Sequence, residues 1–418
     1  MSELSKIKRE LSQLEKTERE LNLKQLQING LLGITQAINN NVSAEGLYEM
    51  YASFVGWEMA VEKVALLVKE DSGWVCKVHR GIDEELIKMD ISDRLPNYQR
   101  LKNIEEDKDH PLIKEFDVVI PVLHKNTPIA YSFFGGFSKD DDMYSKVKFI
   151  TTITNIIAVA IENKRLFKRQ IEQERLNREM ELAGDMQKML IPNELPQNKE
   201  YEFAGIYKPH LGLGGDYYDF FRLNENEYVF CIADVSGKGL SAAMLMANFQ
   251  ATLKANVKYN HGNLTLVELV SELNKSIVEA AKGEKFITFF IGYYNEKTRI
   301  LKFINAGHNY PILIHQNNFK QLKTGSTALG IFDPLPEIQS LEIEIKPNTI
   351  IVCFTDGLVE VENTEGEQFQ TKRLADSISS YSYLNMSELN KAIIRDVDKF
   401  KGENPYPDDT AILSLRII

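Results

Sequence analysis

The stretch EYVFCIADVSGKGLSAA, residues 227–243, decides the fold of the C-terminal half of this chain. Its first nine residues are mostly apolar, which predicts a strand that is buried on both faces. Gly237 and Gly239 then predict a turn, and helical periodicity begins near residue 239. Asp234 therefore stands where a rigid strand ends, and a glycine soon after it lets a ligand approach the backbone closely.

Three more segments place aspartate at the edge of an apolar run. They are GGDYYDFF (214–221), CFTDGLVE (353–360) and PDDTAIL (407–413). A single Asp-Gly pair usually marks only a tight turn, but four such segments in one chain indicate a shared site. If Asp234, Asp356 and Asp408 converge, repulsion between their carboxylates requires a cation. An all-oxygen ligand set favours Mg²⁺ or Mn²⁺ over Zn²⁺.

The remaining pattern of the C-terminal half predicts an α+β fold. Many strands are separated by gaps of hairpin length, and helices are inserted in pairs, which favours an antiparallel β-sandwich flanked by helices. The predicted strands are 227–235, 285–295, 299–307, 310–316, 341–347, 349–357 and 409–417, and the predicted helices are near 239–258, 264–282, 371–382 and 386–400.

Residues 31–161 predict a separate α+β domain. Four strand-like runs lie between a helical pattern at 31–54 and a closing helix that begins at Met143; the runs are 61–69, 73–80, 117–124 and 128–137. This order resembles a GAF domain, and the resemblance implies a sensor with an unknown small ligand or protein as its input. Aromatic residues at these spacings could line a pocket, although they more often belong to the core.

Two charged helical segments frame that domain. Residues 1–30 carry apolar residues three and four apart, which favours either a short coiled coil or a solvated amphipathic helix. Residues 162–191 form a helix with two apolar seams that are out of phase between Ile171 and Leu176. We expect this linker helix to form a homodimer and to carry signals to residues 192–418, although a plain surface linker is the alternative.

Composition limits the classes of partner. The chain has 418 residues, 49 Lys and Arg, 60 Asp and Glu, and a net charge of −11, which opposes nucleic acid and anionic lipid as partners. Its three cysteines are too few and too scattered for a disulfide framework. The first residues are charged, and the apolar stretch from Phe149 to Ile161 is shorter than a membrane span. We expect a cytoplasmic protein with no membrane span.

The C-terminal segments resemble the SpoIIE/RsbU branch of the PPM metal-dependent serine/threonine phosphatases. GGDYYDFF, IADVSGKGLSAAMLMA, NAGHNYPILI, FTDGLVEVEN and DDTAIL occur in the order typical of that family over roughly residues 190–418. The resemblance implies catalysis through Asp234, Asp356 and Asp408. It implies two Mn²⁺ or Mg²⁺ ions, held by Asp216, Asp234, the Val235 carbonyl, Asp356, Asp408 and Asp409. Asp219 would lie in the outer shell.

The implied reaction is direct hydrolysis of a phosphoserine or phosphothreonine by metal-activated water. One departure from the family pattern is Ala411, which stands where the family usually has a threonine, so that hydroxyl is missing. Lys238 could contact phosphate, but a solvated lysine in a glycine turn is the commoner outcome. His308 could donate a proton, but a hydrogen-bonded histidine in a turn is the commoner outcome.

The resemblance names a STAS-domain anti-sigma-factor antagonist as the expected substrate. One alternative keeps the PPM fold but makes it a catalytically silent binding module. A further alternative, a diguanylate cyclase based on GGDYYD, leaves the later aspartate segments unexplained.

Overall fold

The computed structural model describes residues 3–59, 61–104, 109–137, 143–210, 212–259, 265–316, 318–323 and 325–418. The chain divides into two compact units, Met1–Glu174 and Arg175–Ile418, and the dividing point lies within one long helix. Each unit has its own hydrophobic core.

The N-terminal unit is an α+β domain around one antiparallel sheet of five strands, in the order β2-β1-β5-β4-β3. Its strands are β1 (Lys63–Glu70), β2 (Gly73–Arg80), β3 (Lys102–Asn103), β4 (Val118–His124) and β5 (Thr127–Gly135). Its helices are α1 (Glu3–Asn39), α2 (Ala44–Ser53), α3 (Glu84–Ile87) and the first part of α4 (Met143–Lys188). The resemblance to a GAF domain stays a prediction.

Helix α1 differs from the predicted division at residue 30. One helix continues from Glu3 to Asn39, and Asn41 in the left-handed region (φ 56°) then turns the chain toward α2. The apolar seam of its first part faces solvent, whereas Ile34 and Ala37 enter the core of the unit. The Asn29-Gly30 pair is a common helix-ending signal, but here the helix continues through it. Gly30 instead allows close packing, since a Cβ there would lie 1.9 Å from Phe54 Cε2.

Helix α4 is 46 residues long, so it exceeds the apolar stretch on which the sequence expectation rested. One window of 18 residues in it is apolar enough to cross a membrane, and 44% of that window is buried inside the protein. Ile150, Ile153 and Ile157 are part of the core of the N-terminal unit. A core helix passes the same test of length and composition, so the absence of a membrane span stays a prediction.

Within the described residues, the C-terminal unit is built from the last part of α4, ten strands and five further helices. The strands are β6 (Tyr201–Lys208), β7 (Tyr217–Arg222), β8 (Glu227–Val235), β9 (Ile287–Asn295), β10 (Ile300–Ala306), β11 (Ile312–His315), β12 (Asn318–Gln321), β13 (Leu341–Glu344), β14 (Thr349–Phe354) and β15 (Thr410–Ile417). The helices are α5 (Leu240–Tyr259), α6 (Leu266–Ala281), α7 (Asp356–Val359), α8 (Gln370–Ser380) and α9 (Met386–Lys401).

These strands form two five-stranded antiparallel sheets, β13-β10-β9-β8-β7 and β12-β11-β14-β15-β6. The main core lies between the two sheets and continues between the first sheet and helices α5 and α6. A second core lies between the second sheet, which contains β14 and β15, and helices α7–α9. Strand β8 is apolar almost throughout because each of its faces is covered. The predicted helix-flanked sandwich is confirmed.

The sequence interpretation missed three strands of this unit: β6, β7 and β12. β12 is exposed, so it lacks the apolar run that reveals a buried strand. In the sequence β7 appears only as an aspartate-bearing turn, because tyrosine and aspartate interrupt its apolar pattern. The segment does turn before Asp216, and the strand begins one residue later.

Candidate active site

Asp216 and Asp234 face each other at one end of the first sheet. Strands β7 and β8 pair with Tyr217 opposite Ala233, so the same register continued by one residue sets Asp216 opposite Asp234. Asp216 precedes β7, and Asp234 is the next-to-last residue of β8. Val235 follows, is 1% exposed, and has its carbonyl oxygen against Gly215. Antiparallel pairing therefore brings these sequence-predicted residues together.

The second sheet contributes Asp356, Asp408 and Asp409 by the same geometry. β14 ends at Phe354, just before Asp356, and β15 begins at Thr410, just after Asp409. The two strands pair directly, with Phe354 opposite Ile412. Because one strand ends where its antiparallel neighbour begins, these carboxylates occupy the same end of the second sheet.

Hydrogen bonds join the two sheets at this end. The Thr355 hydroxyl donates to Asp216 Oδ2 at 2.7 Å and accepts the backbone N–H of Ala411 at 2.8 Å. Thr355 is fully buried, so this link is shielded from water. The backbone of Ala411 thus contacts the site although its side chain lacks the hydroxyl of the family pattern.

Asp409 holds the segment that leads into Asp216. Its Oδ1 accepts the N–H of His210 at 2.8 Å and its Oδ2 accepts the N–H of Gly215 at 2.7 Å. A Cβ added at Gly214 would lie 2.3 Å from Asp409 Oδ2, so only glycine fits there. Asp409 consequently uses both oxygens to fix the loop, which is a positioning role beside the metal-binding role predicted from the sequence.

The carboxyl groups of the cluster destabilise one another's charged forms. Burial, and then the charge of Asp234, raises the pKa of Asp216 far above its usual range. Burial followed by the charges of Asp356 and Asp408 raises the pKa of Asp234. Burial also raises the pKa of Asp356, with Glu360 and then Asp408 adding to it. The site therefore gathers negative charge that only a cation or protons can neutralise.

One cation of the chain already lies at the edge of the cluster. Lys238 Nζ is 2.9 Å from Asp408 Oδ2 and donates to the carbonyl of Pro407 at 2.6 Å. Lys238 is therefore not the purely solvated lysine of the commoner expectation, and its contact with phosphate stays a prediction. Asp408 itself is partly exposed, so this side of the cluster opens to solvent.

Two other residues that the sequence singled out, Asp219 and His308, form hydrogen bonds to groups outside the carboxylate cluster. Asp219 accepts hydrogen bonds from the Tyr217 hydroxyl at 2.5 Å and the Phe220 N–H at 2.7 Å, so its carboxylate is occupied within β7. His308 is 3% exposed and its Nδ1 lies 2.9 Å from the Thr288 hydroxyl. The buried, hydrogen-bonded histidine matches the commoner of its two expected outcomes.

Gln187, near the end of α4, is a residue that sequence reasoning missed. Its amide nitrogen donates to the Gly214 carbonyl at 2.6 Å, and its amide oxygen accepts the Gly214 N–H at 3.1 Å. The side chain is 5% exposed and so makes these bonds inside the protein. Gly214 lies two residues before Asp216, so the helix end is tied to the segment that carries this aspartate. A lone glutamine in a charged helix gave no sequence signal.

The donor set suits a hard divalent cation in kind, because carboxylates and the Val235 carbonyl supply only oxygen. The buried, mutually repelling carboxylates also require positive charge. Within the described ranges, however, no group of three or more His, Cys, Asp or Glu side chains is already placed to hold an ion. The residues therefore fit the chemistry of a metal site, but their side chains must change position to coordinate an ion. Their assignment as ligands stays a prediction.

A helix-flanked double sheet with carboxylates gathered at one end is the architecture of the PP2C, or PPM, phosphatase domains. The PP2C domain of SiaA from Pseudomonas aeruginosa is similar in fold, with a TM-score of 0.53 and 18% identity over 59% of this chain and 99% of that domain. At this identity the similarity concerns the fold alone.

Residues 224–418 match the family model described as stage II sporulation protein E (SpoIIE). This part, slightly under half of the chain, is similar to SpoIIE-type domains of the PP2C phosphatase family. The matched range contains Asp234, Asp356, Asp408 and Asp409 and begins after Asp216, so the family model does not bear on that residue.

Two named relatives extend the comparison. The phosphoserine phosphatase RsbU of Bacillus subtilis is 25% identical over 281 residues, which are 67% of this chain and 82% of RsbU. Protein IcfG of Synechocystis is 26% identical over 227 residues, 48% of this chain. The matched part spans 36% of the length of IcfG. The similarity to RsbU therefore reaches beyond the phosphatase-type domain, whereas that to IcfG covers about half of the chain.

Proposed function

We propose that the C-terminal domain hydrolyses phosphoserine or phosphothreonine on a partner protein in a reaction that depends on Mn²⁺ or Mg²⁺. The observation that carries this is the convergence of aspartates from four separate segments at one end of the sandwich. The pKa values of Asp216, Asp234, Asp356 and Asp409 are all raised, chiefly by burial. A purely structural sandwich gains nothing from such a cluster, because buried unpaired carboxylates cost stability.

In this proposal Asp234, with the Val235 carbonyl, Asp356 and Asp408 hold two divalent ions, and Asp216 and Asp409 complete the set. Bound ions would supply positive charge toward the phosphoryl group and lower the pKa of the attacking water.

Other residues of the site have a positioning role: Thr355 orients Asp216, and Asp409 fixes the loop before it. Gly357 permits close packing, since a Cβ there would lie 1.9 Å from the Asp409 carbonyl oxygen.

The substrate of the proposal is a phosphorylated STAS-domain anti-sigma-factor antagonist. Support comes from the resemblance of the motifs to the SpoIIE/RsbU branch and from the phosphoserine specificity in the name of RsbU. The N-terminal unit would act as a cytoplasmic sensor of an unknown small ligand or protein, and the linker helix would transmit its state within a dimer.

The test is phosphate release from the full chain with and without Mn²⁺. We expect wild type to hydrolyse p-nitrophenyl phosphate and a phosphorylated STAS protein only with metal. Asp356→Asn should lower the rate at least about 100-fold, since it removes a group predicted to bind metal directly. Asp396→Asn is a matched control, because that carboxylate bonds Ser377 and Tyr381 between α8 and α9.

Hydrolysis by wild type that persists after the metal is removed by chelation would contradict the proposed chemistry. No hydrolysis of either substrate under any metal condition would instead favour the catalytically silent binding module. Activity toward p-nitrophenyl phosphate but toward no STAS protein would retain the phosphatase and reject the proposed substrate.

A further inference from the structure

Lys238 occupies a loop whose backbone is held at Ser236. The Ser236 N–H donates to the Phe286 carbonyl at 2.9 Å, and the Ser236 hydroxyl oxygen accepts the Phe286 N–H at 2.9 Å. On either side of Lys238 stand Gly237 and Gly239, whose φ angles of 87° and 72° suit glycine. The loop therefore presents the lysine at a defined point between β8 and α5, and its long side chain reaches Asp408 and the carbonyl of Pro407.

The Lys238 side chain is 46% exposed and ends on Asp408 Oδ2. The other oxygen, Oδ1, accepts the N–H of Asp409 at 2.8 Å. Both oxygens of Asp408 are thus engaged without a metal ion. Lys238 supplies one positive charge at a cluster whose own groups are acidic, and an ammonium is a compact point charge suited to this task.

A divalent ion on Asp408 changes this balance. The ion and the ammonium group compete for the same oxygen lone pairs, and their like charges repel. The lysine, partly exposed and flanked by glycines, can leave the carboxylate without moving the sandwich. A phosphate monoester at the cluster is itself an anion that accepts charge-assisted hydrogen bonds.

We propose that Lys238 neutralises Asp408 while the site lacks metal, and binds the phosphoryl group of the substrate once a divalent ion has taken Asp408. This inference rests on the proposed function and adds to it a residue that contacts substrate. It makes Lys238 act in opposite directions on two ligands: the lysine weakens the binding of the metal and strengthens the binding of phosphate.

The test compares Lys238→Met with wild type in the full chain by calorimetry. Titration with Mn²⁺ alone should give roughly two- to fivefold tighter binding in the variant, the size expected for losing a partly exposed ion pair. Titration of the Mn²⁺-loaded protein with inorganic phosphate should give roughly tenfold weaker binding, as expected for losing a hydrogen bond to a charged group. Neither measurement depends on catalysis.

Lys302→Met is the matched control. Lys302 is also 46% exposed and forms a 2.7 Å ion pair, but its partner is Glu342, on the strand paired with its own in the first sheet. We expect this variant to leave both affinities unchanged. Lys238→Arg keeps the positive charge and should stay near wild type for both ligands.

Unchanged or weaker Mn²⁺ binding in Lys238→Met, or unchanged phosphate binding, would overturn the inference even if wild type hydrolyses phosphate esters. Opposite shifts in the two affinities without any hydrolysis by wild type would support the inference and reject the proposed function. Failure of wild type to bind Mn²⁺ would overturn both.

Discussion

At the scale of single residues, the site depends on groups that are not acidic. Thr355 contacts a carboxylate of one sheet and the backbone of the other through a single hydroxyl group. Its neighbour Asp356 attracts attention in the sequence because it is charged and precedes glycine. Thr355 links the two sheets because its hydroxyl group can donate one hydrogen bond and accept another.

We predict that Thr355→Val lowers Mn²⁺-dependent phosphate release by roughly 10- to 100-fold, because Asp216 loses the donor that orients it. Thr349→Val is the control: Thr349 is also buried, begins β14, the strand that ends just before Thr355, and bonds the carbonyl of Lys346 at 2.7 Å. It should lose stability without a comparable loss of activity. Equal activity losses in the two variants would show that Thr355 acts only through folding.

His308 gives a prediction about pH and stability. Burial lowers its pKa from 6.5 to about 4. Below pH 6.5 the unfolded chain therefore takes up a proton that the folded chain excludes. This contribution to stability is complete above pH 6.5 and is lost as the pH falls to 4, by roughly 3 kcal/mol.

Urea unfolding of wild type and His308→Gln between pH 7 and pH 4.5 isolates this contribution from those of the carboxylates. We expect the stability gap between the two proteins to narrow as the pH falls, because only wild type has a histidine to protonate at this position. A gap independent of pH would contradict the low pKa of His308.

At the scale of elements, the end of α4 is fitted to the segment before Asp216. A Cβ added at Gly184 would lie 2.3 Å from the Gly212 carbonyl oxygen, and Gln187, one turn later, bonds Gly214. The helix and the loop thus approach too closely for any side chain at Gly184. This close packing explains why a residue with poor helix propensity stands inside a long helix.

Gly184→Ala should destabilise the C-terminal unit by about 1–3 kcal/mol, since the added methyl group overpacks the contact. In an open helix the same change stabilises by up to about 1 kcal/mol. Gly33→Ala in α1 provides that comparison, because a Cβ there would meet nothing within 4 Å. Thermal unfolding of both variants gives the measurement, and stabilisation by Gly184→Ala would refute the close contact.

At the scale of the whole molecule, the long helices carry apolar side chains that their own chain does not cover. In α1, Leu11, Leu14 and Leu21 are 60–70% exposed, and in α4 Ile171 and Leu176 are about half exposed. Spacings of three and seven residues place the α1 side chains on one face. A second copy of the chain is the partner that such seams fit in the proposed signalling arrangement.

We predict that the full chain sediments as a dimer at micromolar concentration. The double substitution Ile171→Glu and Leu176→Glu should shift it toward monomer, because charges in a helix seam repel across the interface. Lys168→Glu changes charge on the same helix outside the seam and should leave the dimer intact. A monomeric wild type would reject dimerisation through the linker helices.

Most elements of the C-terminal unit, apart from β6, β7 and β12, are predicted from the sequence, and so are the aspartates of the candidate site. Strand β8 was predicted with its observed bounds, and α5, α6, α8 and α9 were predicted to within two residues at each end. Local periodicity encodes these features, since a buried strand or an amphipathic helix must show its pattern within a few residues. The motif order also predicts the resemblance to the SpoIIE/RsbU phosphatases, and the SpoIIE family model matches residues 224–418.

Which side chains meet in the site depends on tertiary packing. The pairing of β7 with β8 sets Asp216 opposite Asp234, and the packing of the two sheets brings Thr355 to Asp216 across 139 residues of sequence. Gln187 and Lys238 likewise gain their partners from loops distant along the chain. Such contacts arise from strand register and sheet packing, which depend on the whole core. The local sequence around the contacting residues therefore does not reveal them.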